Sequence, residues 1–83
     1  MTEIGEKINV TAVFKNGLIN PRIFEWNGKS FKIEKIALNY SKRLGNSIIR
    51  FFSVEVLGED GAYQLSFNTN DMIWRLDYVC DAC

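Results

Sequence analysis

The sequence predicts a single small all-β domain: six antiparallel strands in a meander that closes into a barrel or a compact sandwich. Three observations predict it. Asn16-Gly17 and Asn27-Gly28 each lie between runs of alternating apolar residues. Asn-Gly is the strongest short hairpin signal, because a type I′ turn needs positive φ at both central residues. Apolar side chains recur with period two along most of the chain, as they do in half-buried strands. The runs are separated by short clusters of Gly, Asn, Asp and Ser, and short strands joined mostly by tight turns give a meander that curls on itself.

The first strand is read from Lys7 to Lys15, with Ile8, Val10, Ala12 and Phe14 alternating against Asn9, Thr11, Val13 and Lys15. Asn16-Gly17 turns the chain. Pro21 cannot donate to a ladder, so it marks a sheet edge or a bulge before the second strand, Arg22 to Trp26. The Asn27-Gly28 turn sets Trp26 opposite Lys29 and Phe24 opposite Phe31, and opposed residues share a face. One face of this hairpin then carries Phe24, Trp26, Phe31 and Ile33, while the other carries Ile23, Glu25, Ser30 and Lys32. A slip of one residue would mix the two sets.

The third strand runs from Lys29 to about Tyr40. Its apolar phase moves from Phe31 and Ile33 to Ile36, Leu38 and Tyr40, which predicts a bulge near Glu34-Lys35. Ile33, Ile36, Ala37 and Tyr40 also fit helical spacing, so a helix competes for residues 32–40. Ser41 to Ser47 reads as a polar loop. The fourth strand spans Ile48 to Leu57 with Phe52, Val54 and Val56 inward. Gly58-Glu59-Asp60-Gly61 turns the chain, and Tyr63, Leu65 and Phe67 share the face of Val54 and Val56. Asn68 to Asp71 makes another turn. The last strand, Met72 to about Cys80, carries Trp74 and Leu76 inward. Residues 1–6 are expected to form a flexible N-terminus, 7–79 the barrel domain and 80–83 a Cys-x-x-Cys tail.

The 83 residues are 47% hydrophobic and 13% aromatic, which excludes a largely disordered chain. So small a domain has little stability to spend on a deep catalytic cleft, and no Ser-His pairing, glycine-rich phosphate loop or calcium loop is present. The acids Glu59, Asp60, Asp71 and Asp77 are the candidates for a calcium loop or paired catalytic carboxylates, but Gly58 to Gly61 is too short for a calcium loop and turns favour such residues anyway. No signal peptide is expected from Met1 to Lys7 and no run reaches the length of a membrane span. A cytoplasmic location with reduced cysteines is the expectation.

Net charge is zero, but unevenly laid out: residues 1–50 hold nine Lys/Arg against four Asp/Glu, and residues 51–83 hold one Arg against six Asp/Glu. In a barrel early and late strands are neighbours, so the split supplies cross-strand pairs. Its alternative is a polarised surface that steers an anionic partner.

The pattern Pro21-x-x-Phe24-x-Trp26-x-Gly28-Lys29-x-Phe31-x-Ile33, with Trp74-x-Leu76 near the end, resembles a group of short bacterial domains of unknown function. The resemblance implies a small β-barrel. Some of those domains are encoded near DNA-repair polymerases, which points toward nucleic acid. The Cys80-Asp81-Ala82-Cys83 ending departs from the group.

Three sets of residues are candidates for function. Lys35, Lys42, Arg43 and Arg50, with Tyr40 among them, form the basic, aromatic-interleaved stretch that a single-stranded nucleic acid would meet; a solvated lysine face that guards sheet edges explains the same residues. Val13, Ile23, Ile49 and Phe51 fall in outward phase and, if contiguous, make an interface. Cys80 and Cys83 have ligand chemistry but make only half of a four-ligand zinc site, and the chain has no histidine. The expected function is therefore a non-catalytic binding or interaction module that engages a protein partner or itself. The alternative is weak, sequence-tolerant single-strand binding, and a third reading is a metal- or thiol-dependent protein. No cofactor and no membrane partner are expected.

Overall fold

A computed structural model describes residues 2–81 of the chain. The six strands are β1 (Thr2–Lys15), β2 (Leu18–Trp26), β3 (Lys29–Leu44), β4 (Ser47–Val56), β5 (Ala62–Asn68) and β6 (Ile73–Cys80). Each pairs antiparallel with the next, and β1 pairs with β6 to close the barrel. The helix that competed for residues 32–40 is strand throughout.

The Asn-Gly turns form as their chemistry requires. Asn16, Gly17, Asn27 and Gly28 all have positive φ, and the second turn sets Trp26 against Lys29 and Phe24 against Phe31. Phe24 and Phe31 stack inside the barrel at 4.9 Å and 11°, with Tyr63 tilted 5.5 Å from each. A second aromatic group joins Phe52, Trp74 and Phe67. Val54, Leu65 and Leu76 are fully buried. Every one of these residues lies in the phase that alternation predicts for the interior.

Two long strands hold the barrel together. β1 pairs through Thr2–Ile8 with β6 and through Asn9–Lys15 with β2. β3 pairs through Lys29–Lys32 with β2 and from Ile33 onward with β4. The result is a five-stranded sheet, in the order first half of β1, β6, β5, β4, second half of β3, with β2 spanning the remaining side.

Bulges bend these strands. Between Ile33 and Lys35 the register with β4 slips by one residue, at the place the apolar phase change predicts. Arg22, next to Pro21, is the extra residue opposite Thr11-Ala12. Three further bulges were not predicted. Ala37 is extra in β3, Asp77 is extra in β6, and Ile4-Gly5 is offset against β6 in β1.

Several expected boundaries move. β1 starts at Thr2, five residues before the expected Lys7, because Thr2, Glu3 and Glu6 pair with Val79, Tyr78 and Leu76 to complete closure. β2 starts at Leu18. β3 continues to Leu44, so Ser41 to Leu44 form strand paired with Ser47 to Arg50 and only Gly45-Asn46 turn the chain. Cys80 pairs with Ala62 as the last rung of the β5–β6 ladder. It therefore belongs to the barrel, and not to a tail. Lys29 donates to Glu59 Oε1 at 2.8 Å. This ion pair joins the basic early half of the chain to the acidic late half, from the start of β3 to the turn after β4, and Glu59 holds the Lys29 ammonium above its ordinary range.

Candidate functional site

The outer face of the five-stranded sheet carries a groove of about 580 Å³ lined by Glu3, Gly5, Tyr40, Lys42, Phe51, Gln64, Asp77 and Tyr78. Three bulges shape it, and bulges characteristically re-aim side chains next to binding sites.

The bulge at Ala37 makes the first wall. Without it, Tyr40 and Leu38 would follow Ile36 into the interior, as the sequence phase predicts. With one extra residue, Leu38 pairs with Ser53 and Tyr40 with Phe51, both on the outward phase of β4. Leu38 is consequently exposed, a correction to its expected burial. Tyr40 stacks on Phe51 with ring centroids 5.0 Å apart and planes 17° off parallel. Both rings are half-buried. The Lys42 ammonium lies 5.9 Å from the Tyr40 ring centre and 6.0 Å from that of Phe51, within reach of the electron-rich ring faces.

The paired offsets in β6 and β1 make the opposite wall. Gln64 pairs with Tyr78 while Leu65 pairs with Leu76, so Asp77 is the residue left over. Its Oδ1 accepts a hydrogen bond from Ser66 Oγ at 3.1 Å. The same slip turns Tyr78 outward, opposite Glu3, and lets Val79 pack on the core. Partial burial raises the Asp77 carboxyl above its ordinary value of 3.8, and the Ser66 hydrogen bond and the charge of Arg75 only partly oppose that rise. Arg75 acts from a distance: the ion pair found within 4 Å among the described residues is Lys29–Glu59. The groove thus has a cation on the aromatic wall, two carboxylates on the other, and the Gln64 amide between.

The candidate residues separate in space. Tyr40, Lys42 and Phe51 come together in the groove, with Ile49 opposite Lys42 on the same face. Lys35 is opposite Glu55, on the outer face but before the Ala37 bulge. Arg43 and Arg50 take the other phase of the β3–β4 hairpin, opposite Ile48 and Ser41. The five nucleic-acid candidates therefore do not form one continuous basic surface. Val13 and Ile23 lie on β1 and β2, opposite Asn20 and Thr11, round the barrel from Ile49 and Phe51, so the four outward apolar candidates form two patches. Glu3, Gly5, Gln64 and Tyr78 were not anticipated as part of a site, and Asp77 was weighed only among the acids of the late half. The signal available was Val79, an apolar residue out of step with Trp74 and Leu76, which marks a phase change at Asp77-Tyr78.

Among the described residues no three His, Cys, Asp or Glu side chains converge as metal ligands. Cys80 is disulfide-bonded where a reduced thiol was expected; Cys83 lies outside the described residues. No helix is long and apolar enough to cross a membrane. No protein-family model, curated protein or solved structure matches this chain.

Proposed function

We propose that the protein is a non-catalytic binding module that takes a segment of a partner protein on the outer face of its five-stranded sheet. The observation that carries this reading is the stacked Tyr40–Phe51 pair, two large rings placed on the outside of the barrel. Rings in the interior are accounted for by packing; these two are not. They are rigid and clustered, and Tyr40 adds a polar tip, which are the properties of residues that dominate protein interfaces. Ile49 and Leu38 extend the apolar surface beside them, and the groove gives it depth.

A displayed library of unstructured peptides, selected on the native protein, tests the reading. Peptides that bind the native protein and lose binding to Phe51→Glu are the expected result. Selection of binders indifferent to Phe51→Glu would refute it. Sedimentation distinguishes the related case: self-association abolished by Phe51→Glu makes a second copy of the chain the occupant.

One observation favours a second reading. A lysine ammonium above two stacked rings is also how a single-stranded nucleic acid is held, its base stacked and its phosphate paired. Such binding is mainly electrostatic and falls with salt. A labelled oligonucleotide titrated at low salt, with loss of binding in Lys42→Glu, would support it. The separation of Arg43 and Arg50 from the groove, and the carboxylates Glu3 and Asp77 within it, weigh toward a protein segment.

A further inference from the structure

The groove's own chemistry narrows the partner. Its aromatic wall already holds a cation, the Lys42 ammonium about 6 Å from both ring centres. Its other wall offers Asp77 and Glu3, and Asp77 is half-buried and accepts from Ser66 Oγ, with no side-chain cation at ion-pair distance among the described residues. An occupant matching both walls has a flat cationic group that stacks on rings and carries several N–H donors for carboxylates. A phosphate is repelled by the acids. A lysine ammonium meets the carboxylates but has no plane to lay on a ring. A guanidinium does both: it is planar, permanently charged, and presents a fork of donors that fits a carboxylate.

Resting on the reading of this face as a protein-binding surface, we propose that the groove recognises an arginine side chain in an extended segment of a partner protein. The guanidinium stacks against the Tyr40–Phe51 wall, Tyr78 closes the opposite side, and Asp77 with Glu3 accepts the N–H groups. Lys42 competes for the ring faces as a resident cation, so it weakens the site it borders. The charge layout of the groove is thus a match for a basic segment with one internal competitor.

The test uses three otherwise identical Gly/Ser peptides that carry arginine, lysine or citrulline at the centre. Citrulline keeps the shape of arginine without its charge. The arginine peptide is expected to bind about tenfold more tightly than either of the others, the scale of a charge-assisted hydrogen bond. Asp77→Asn, which keeps an acceptor for Ser66 Oγ, is expected to remove that preference while the protein stays folded. Lys42→Ala is expected to tighten arginine binding several-fold. Equal binding of the arginine and citrulline peptides, or an unchanged preference in Asp77→Asn, overturns the proposal. So does absence of binding by all three peptides. If all three bind alike and Phe51→Glu abolishes them, the guanidinium claim fails and the binding face survives. If binding persists in Phe51→Glu, the binding face fails as well. Oligonucleotide binding lost in Lys42→Glu, with no peptide binding, would replace a protein partner by nucleic acid.

Discussion

Gly61 stands where the β4–β5 connection passes the end of β6. Its φ is +90°, and a Cβ added there would collide with the carbonyl oxygen of Cys80. The neighbour is backbone in the last rung of a ladder, so it has little room to yield. Gly61→Ala therefore combines a left-handed conformation that an L side chain resists with an overpacked contact. Chemical denaturation is expected to show a loss on the order of 3 kcal/mol. Asp77 makes a prediction of the opposite sign. Burial raises its carboxyl above the ordinary value of 3.8, so the folded protein holds that proton more tightly than the unfolded chain does. The contribution is fully present below the ordinary value and is lost as pH rises through the raised one. Asp77→Asn should flatten the fall of stability across that window and leave the variant at least as stable as the native protein at neutral pH, as thermal unfolding at a series of pH values will show.

At the scale of the element, adjacent residues of β4 have opposite duties. Phe52 is 1% exposed in the core, and Phe51 is half-buried on the outer face. Phe52→Ala should cost about 3–5 kcal/mol. Phe51→Glu should leave the unfolding midpoint close to that of the native protein. Similar losses in both variants, measured by denaturant titration, would mean that β4 is out of register. The strands, the two Asn-Gly turns and the interior phase of β2, β4, β5 and most of β6 were legible because around the core the inward set of side chains is apolar and the outward set is more polar. The bulge after Ile33 was legible for the same reason, since Ile36 appears one residue late. The bulge at Ala37 was not. It places Leu38 and Tyr40 outside, and apolar residues in the outward phase imitate a continuing inward one. Half of the candidate site was hidden by a different slip. Tyr40, Lys42 and Phe51 were singled out from their chemistry, but the acidic wall depends on the slip at Asp77, and a single misplaced Val79 is a faint mark of it.

For the molecule as a whole, closure depends on the first residues of the chain. Thr2, Glu3 and Glu6 complete the β1–β6 ladder, and Ile4 packs on the core. Their polar sequence imitates a loose terminus, yet without them β1 holds β6 only through Lys7 and Ile8, opposite Arg75 and Trp74, and the groove loses Glu3 and Gly5. Small domains keep only about 5–15 kcal/mol in total, so a chain lacking residues 1–6 should unfold at much lower denaturant and lose the acidic wall together with its barrel. An unchanged midpoint would show that closure is not what stabilises this fold. The division of charge has a counterpart at this scale: it supplies Lys29 to Glu59 between the start of β3 and the turn after β4, and it also sets Lys42 of the early half against Asp77 of the late half across one groove. The groove is therefore bipolar although the net charge is zero, and its specificity is expected to come from the arrangement of charge.

The measurement that tests this account most directly is a nuclear magnetic resonance titration of the native protein with the arginine peptide, following the ring resonances of its three tyrosines. Tyr40 and Tyr78 line the groove and Tyr63 lies in the core. The account predicts that the Tyr40 and Tyr78 signals move together along one binding curve while those of Tyr63 stay in place, and that Asp77→Asn abolishes the movement. Perturbations confined to the β1–β2 face around Val13 and Ile23, or a Tyr40 signal that does not respond to bound peptide, would contradict it.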